Sequence, residues 1–195
     1  MPSTPFHSSY DPDRWIPVPL DYVGTPWADA QAWAAWIAQE ASAGRDDAAE
    51  LLPAIAHEAQ TIALFPAAHV SFRFWHYPVD GEPTGFVDVY VQERDPDTTA
   101  PADLLPEPGF TAVDPVVEEL DIATFPGAVR RLTLNVVLRD EESEPVLFPK
   151  AEWLGVRGRW VAYAVSGDHD VARLRERLDD IDALFASLDP AGDTA

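Results

Sequence analysis

Residues 69–91, HVSFRFWHYPVDGEPTGFVDVYV, decide the fold class. Over His69–Tyr77 the chain alternates Val70, Phe72 and Phe74 with Ser71, Arg73 and Trp75. Phe86–Val91 does the same, setting Val87, Val89 and Val91 against Phe86, Asp88 and Tyr90. A period of two belongs to a β-strand, whose successive side chains point to opposite faces. The intervening Val79–Gly85 contains the turn dipeptide Asp80-Gly81, so the two runs read as an antiparallel hairpin.

Working outward, the same pattern predicts strands over Val116–Ile122, Val129–Leu138 and Arg159–Val165. A further strand, Val146–Leu154, is interrupted by Pro149, and Gly155 and Gly158 supply the turn of a C-terminal hairpin. Upstream, Trp15–Leu20 (WIPVPL) suits a short edge strand, because its prolines cannot serve a two-sided ladder.

Thr25 and Pro26 then read as N-cap and first position of a helix over 26–43, which Gly44 stops. A second helical segment spans roughly 46–64, with Pro53 predicting a kink or a restart. The two make a helical hairpin. At the other end Val171, Leu174, Leu178, Ile181, Phe185 and Leu188 step by three and four, as on an amphipathic helix. The expected fold is therefore α+β: a mainly antiparallel sheet of about five to six strands, with the N-terminal helical hairpin and the C-terminal amphipathic helix packed on it. Residues 15–189 read as a single domain, with 1–14 a flexible lead-in and 190–195 a flexible tail.

Composition narrows the function. Of 195 residues 34 are Asp or Glu and 13 are Lys or Arg, a formal charge of −21, and Lys150 is the only lysine. Such a chain repels phosphate backbones, which argues against direct nucleic-acid binding. The absence of cysteine excludes disulfides, thiolate catalysis and Cys-ligated zinc. With 47% apolar residues and seven tryptophans the chain can build a core. No run approaches the ~18–20 apolar residues of a membrane helix. Met1–Tyr10 shows no basic n-region or apolar h-region, so a cytoplasmic location is expected.

The acids are not spread evenly. Glu93–Asp121 holds nine of them against Arg94 alone, and its part Asp95–Pro115 is a long, Pro-rich loop. A second cluster, Asp140-Glu141-Glu142-Ser143-Glu144, occupies a hairpin tip.

Catalytic motifs are scarce. Ser166-Gly167-Asp168-His169-Asp170 has the letters of a hydrolase triad, but adjacency is the wrong geometry and the G-x-S-x-G elbow is missing, so it reads as a helix cap. The histidines 7, 57, 69, 76 and 169 show no metal-binding spacing; His76 with Asp80 and Glu82 is the best local cluster, and it reads as a polar hairpin end in preference to a metal site. No Gly-rich phosphate loop is present. Neither a cofactor nor a metal is expected, and the motifs lean away from an enzyme.

Three strings resemble a known family. Gly127-Ala128-Val129-Arg130-Arg131-Leu132 enters a long strand, Arg159–Val165 (RWVAYAV) forms a last one, and a closing helix ends on Asp182-Ala183-Leu184-Phe185-Ala186-Ser187-Leu188. Together, over about residues 110–189, they are similar to the Mog1/PsbP-type α/β/α sandwich, which includes LpqN-like lipoproteins and secretion chaperones. The N-terminal helical hairpin departs from the usual start of that fold. The resemblance implies a partner-binding or chaperone-like module and supplies no catalytic residues to carry over.

Two kinds of binding surface follow from the residues. One is acidic, comprising Glu93, Asp95, Asp97, Asp103, Glu107, Asp140, Glu141 and Glu142, with Trp36 as an aromatic anchor if its helix is not buried on both sides. The other is the sheet face opposite the core, where Arg73, Trp75, Tyr90 and Arg131 mix aromatics with arginine, unless a helix covers it or ordinary cross-strand ion pairs explain them. The leading expectation is a non-catalytic adaptor, chaperone-like or immunity-type protein binding a protein partner of basic character. The alternatives are a small-molecule-binding or hydrolase-like protein with a pocket under the 95–115 loop, and a mimic of DNA charge.

Overall fold

The computed structural model describes residues 6–45, 47–94, 100–138 and 144–190. In chain order these form β1 (Phe6–Ser8), β2 (Trp15–Val18), α1 (Ala30–Ser42), α2 (Ala48–Leu64), β3 (Phe72–His76), β4 (Gly85–Glu93), β5 (Val116–Glu119), β6 (Val129–Val137), β7 (Val146–Arg157), β8 (Trp160–Gly167), α3 (Val171–Glu176), α4 (Leu178–Ala186) and β9 (Leu188–Pro190). Seven strands make one antiparallel sheet in the order β2-β3-β4-β8-β7-β6-β5. The protein is α+β, and the edge strand expected at Trp15–Leu20 forms over Trp15–Val18 beside β3, bringing the sheet to seven strands against the expected five to six.

The alternation of residues 69–91 holds in space. Phe74 pairs with Val87 and Phe72 with Val89, while Arg73 meets Asp88 and Trp75 meets Phe86. On the first face Phe74, Val87, Val89, Trp153, Ala162 and Ala164 pack against Leu174, Ile181, Leu184 and Phe185 of α3 and α4. On the second, Val18, Trp75 and Tyr77 pack against Trp33, Ile37, Ile55, Ala59 and Ile62 of α1 and α2. The sheet is thus layered between helices, each covering one row of the period-two pattern.

Local signals account for most element ends. The N-cap of α1 is Asp29, whose carboxylate accepts the Ala32 N–H at 2.8 Å, and not Thr25. Thr25 instead donates its hydroxyl to the Tyr22 carbonyl in the preceding turn. Gly44, at φ +80°, follows the helix end as expected. α2 runs through Pro53, which lies in its second turn, so only one carbonyl bond is forfeited. Pro149 is likewise accommodated within β7. Its carbonyl accepts the Asp168 N–H, and its nitrogen points the same way, past Lys150–Gly167, the last pair of the β7–β8 ladder.

Three details qualify the expectations. The C-terminal amphipathic helix packs on the sheet as expected but is bent at Arg177, between α3 and α4. Leu188, the last member of the stripe, belongs to β9. The lead-in is ordered from Phe6: β1 pairs with β9, and the buried Phe6 ring stacks on Phe125 (6.4 Å) and meets Trp160 edge-on (5.9 Å). Pro190 closes β9, and 191–195 lie outside the described residues.

Candidate binding site

The helical hairpin covers only the β2–β3–β4 part of the second face. Beyond it, Leu104 and Leu105 of the Pro101–Leu104 turn pack on Val129, Leu154 and Val161. Between α2 and this turn the described residues leave a trough across β4, β8 and β7. Two cavities share Tyr90 in its floor.

The first cavity, about 660 Å³, lies under the turn and is lined by Tyr90, Gln92, Leu104, Pro106, Leu154 and Tyr163. His69, which holds a left-handed backbone (φ 63°), stands at its edge. The second, about 470 Å³, lies against α2 and is lined by Glu58, Phe86, Tyr90, Phe148, Lys150 and Arg173, among others. The Phe148 ring fits because residue 167 is glycine: a Cβ there would stand 2.5 Å from the ring.

Beneath the trough a polar network is buried. The Glu152 carboxylate, fully inaccessible, accepts from the Tyr163 hydroxyl (2.6 Å) and Arg131 Nε (2.9 Å), with Lys150 Nζ at 3.1 Å. Burial by itself would raise the Glu152 pKa, but the bonds from Tyr163 and Arg131 and the Lys150 charge outweigh it and hold the carboxyl below its ordinary value. Tyr163 is pushed strongly upward, first by burial and then by that same bond.

The sheet-face residues do not form the exposed recognition surface expected of them. Trp75 and Arg73 are buried beneath the helical hairpin. Arg73 grips Asp88 through two bonds (2.6 and 2.8 Å) and donates to the Ile62, Phe65 and Pro66 carbonyls at the end of α2. Its guanidinium is flanked by the Phe65 and Phe86 rings. Arg131 is buried on Glu152, so of the four only Tyr90, partly exposed, reaches the trough. The physical reason is that both rows of an alternating strand become core when helices pack on both faces.

The end of the β3–β4 hairpin is also internal. His76 Nδ1 is 2.6 Å from the Thr84 hydroxyl and Nε2 is 2.8 Å from Asp180, with the Trp15 ring edge-on at 4.7 Å. Asp168 caps no helix: Asp170 caps α3, and Asp168 holds the buried Arg177 at 2.7 Å. Arg177 also donates to the Thr84 and Gly167 carbonyls. Among the described residues no group of three or more His, Asp or Glu could hold a metal ion.

The described acids of the 93–121 stretch are all exposed: Glu93, Asp103, Glu107, Asp114, Glu118, Glu119 and Asp121. Glu93 pairs with Arg159 at 2.7 Å near the first cavity, and Asp103 and Glu107 lie on or just after the turn above it. Asp95, Asp97, Asp140, Glu141 and Glu142 lie outside the described residues. Trp36 is 41% exposed and rests on Trp27 (4.9 Å), and with Trp33 both line a cleft of about 510 Å³ between α1 and β2. Trp33 is buried.

Glu152, Tyr163, Phe148 and Lys150 were not singled out as site residues by sequence reasoning. The available signals were a lone acid inside an apolar strand and a single lysine two positions before it. Neither says which strand lies opposite. Compared with known protein-family models and with curated proteins, the chain matches none. Among the described residues no helix is long and apolar enough to cross a membrane.

Proposed function

We propose that this is a non-catalytic binding protein that engages a basic region of a protein partner through its acidic surface. The observation that carries the reading is how the charges are sorted. Arg73, Arg131 and Arg177 are buried on Asp88, Glu152 and Asp168, whereas the described acids of the 93–121 stretch face solvent. Burying the cations leaves an outer surface more uniformly negative than composition alone requires, which steers and selects basic partners. The likeness of residues 110–189 to the Mog1/PsbP-type sandwich, whose members mostly bind partners, supports the same reading.

The test is affinity capture at low and moderate salt with the wild type and a variant carrying D103N, E107Q, D114N and E119Q. Capture of basic proteins that falls with salt and is lost in the variant is the expected result. Capture that ignores both salt and the substitutions overturns the proposal.

A second reading is favoured by the 660 Å³ cavity under the Pro101–Leu104 turn, which falls in the size range of small-molecule sites. Ligand binding that is abolished by Leu104→Arg would support it. A fragment screen whose hits bind the variant equally well would remove it.

A further inference from the structure

The 470 Å³ cavity against α2 differs in charge from the rest of the molecule. Three of the carboxylates in or beneath its walls are already matched by buried guanidinium groups: Asp88 by Arg73 (2.6 Å), Asp168 by Arg177 (2.7 Å) and Glu152 by Arg131 (2.7 Å). Lys150 is therefore a second cation on a carboxylate that Arg131 has already neutralised, and its side chain is 24% exposed. Arg173, across the cavity, donates to the Pro83 carbonyl, which carries no charge. The remaining wall acid is Glu58, whose pKa burial raises against the opposing charge of Arg173; even with Glu58 ionised, the five cations Arg73, Arg131, Arg177, Lys150 and Arg173 face four acids. The local balance is positive in a chain whose net charge is −21.

The rest of the lining is mostly apolar and flat, with Thr84, Ser166 and His169 as its polar members. Phe86, Tyr90 and Phe148 present rings to the cavity, and Val165 lies between them on β8. A lysine on a mobile stem beside aromatic walls suits a ligand with a charged oxygen group at one end and a planar body.

We propose that this cavity binds an organic carboxylate with a flat apolar body, its carboxylate on Lys150 and its body against Phe86, Tyr90 and Phe148. The inference does not depend on the acidic-surface reading, and it concerns a cavity other than the one under the Pro101–Leu104 turn. The repulsion of the distant acids is screened over a Debye length of about 8 Å at physiological salt, whereas the lysine contact is direct.

Lys150 being the only lysine gives a direct test in the intact protein. Reductive methylation with ¹³C-formaldehyde preserves its charge and leaves one lysine signal beside that of the amino terminus. Titration would use 4-phenylbutyrate, its amide, 4-phenylbutylamine and phenyl phosphate. The expected result is a saturable shift of the Lys150 signal with the carboxylate, at an affinity at least about tenfold above the amide and with no response to the amine. In unmethylated protein, followed by tryptophan fluorescence, K150Q should lose the preference for carboxylate over amide, and K150R should keep it. An unmoved Lys150 signal, equal binding of the amine, or a preference that survives K150Q would each overturn the proposal. Preference for phenyl phosphate over the carboxylate would overturn the ligand class named here. None of these outcomes depends on Leu104, which separates this test from that of the neighbouring cavity.

Discussion

Arg73 and Asp88 face each other across β3 and β4 at 2.6 and 2.8 Å, and the same guanidinium closes the C-terminal end of α2 by donating to Ile62, Phe65 and Pro66. One side chain therefore ties the helical hairpin to the sheet. It neutralises a buried acid and adds a donor to the Ile62 carbonyl of the last turn of α2 and to the Phe65 and Pro66 carbonyls just beyond it.

Arg73→Met should accordingly cost about 3–5 kcal/mol, because it leaves Asp88 buried and unpaired. The double substitution R73M/D88L, which removes both charges, should recover part of that loss. Urea denaturation of the three proteins checks this, and a single variant within 1 kcal/mol of wild type, on the order of a surface change, would deny Arg73 this role.

His76 makes stability depend on pH. Burial lowers its pKa below the ordinary 6.5, against the bond and charge of Asp180 and with smaller contributions from Arg177 and Arg14. The unfolded chain therefore binds the proton first as pH falls. The stabilisation is complete above the unfolded value near 6.5 and is lost as pH falls from there through the folded pKa. The slope in this window is at most about 1.4 kcal/mol per pH unit. H76Q should flatten the melting temperature between pH 7.5 and 5 relative to wild type. Parallel curves for the two proteins would contradict the assignment.

Phe6→Ala should destabilise by about 3–5 kcal/mol, as for other buried aromatic rings, although Phe6 stands near the start of the chain. The measurement is a denaturation midpoint. A negligible change would mean that the β1–β9 pairing contributes little in solution.

Gly155→Ala probes the same packing from the sheet. A Cβ there would stand 2.6 Å from a ring carbon of Phe125, which also contacts Phe6 and Phe185. Overpacking of this kind costs about 1–3 kcal/mol. Because both substitutions act on Phe125, the G155A/F6A double variant should not be additive, and a double-mutant cycle measures the coupling.

Tyr163→Phe removes one of the donors that hold the Glu152 carboxylate. A loss of about 1.5–3 kcal/mol is expected for a bond to a charged group. The loss should be smaller in an E152Q background.

The fold was largely legible because it follows from local signals. Strand periodicity at 69–91, glycine at 44 and the apolar stripe from Val171 each depend on residues close in sequence. The site was not, and Arg73, Trp75 and Arg131 show why. Alternation correctly placed Arg73 and Trp75 opposite the Phe74 row, but it cannot say whether that row meets water or a helix. Arg177 makes a related point: its partners Thr84 and Gly167 lie on other parts of the fold, just before β4 and at the end of β8.

The sequence by itself determined that the chain is acidic, that it lacks cysteine chemistry, and that helices flank an antiparallel sheet, because composition and periodicity are local properties of the chain. Tertiary structure alone decided which charges cancel. The strand order β4-β8-β7-β6 puts Tyr163 and Arg131 on one buried carboxylate and leaves Lys150 facing a cavity. Ion pairing decays within a few ångströms, and no spacing along the chain records which residues the fold brings that close.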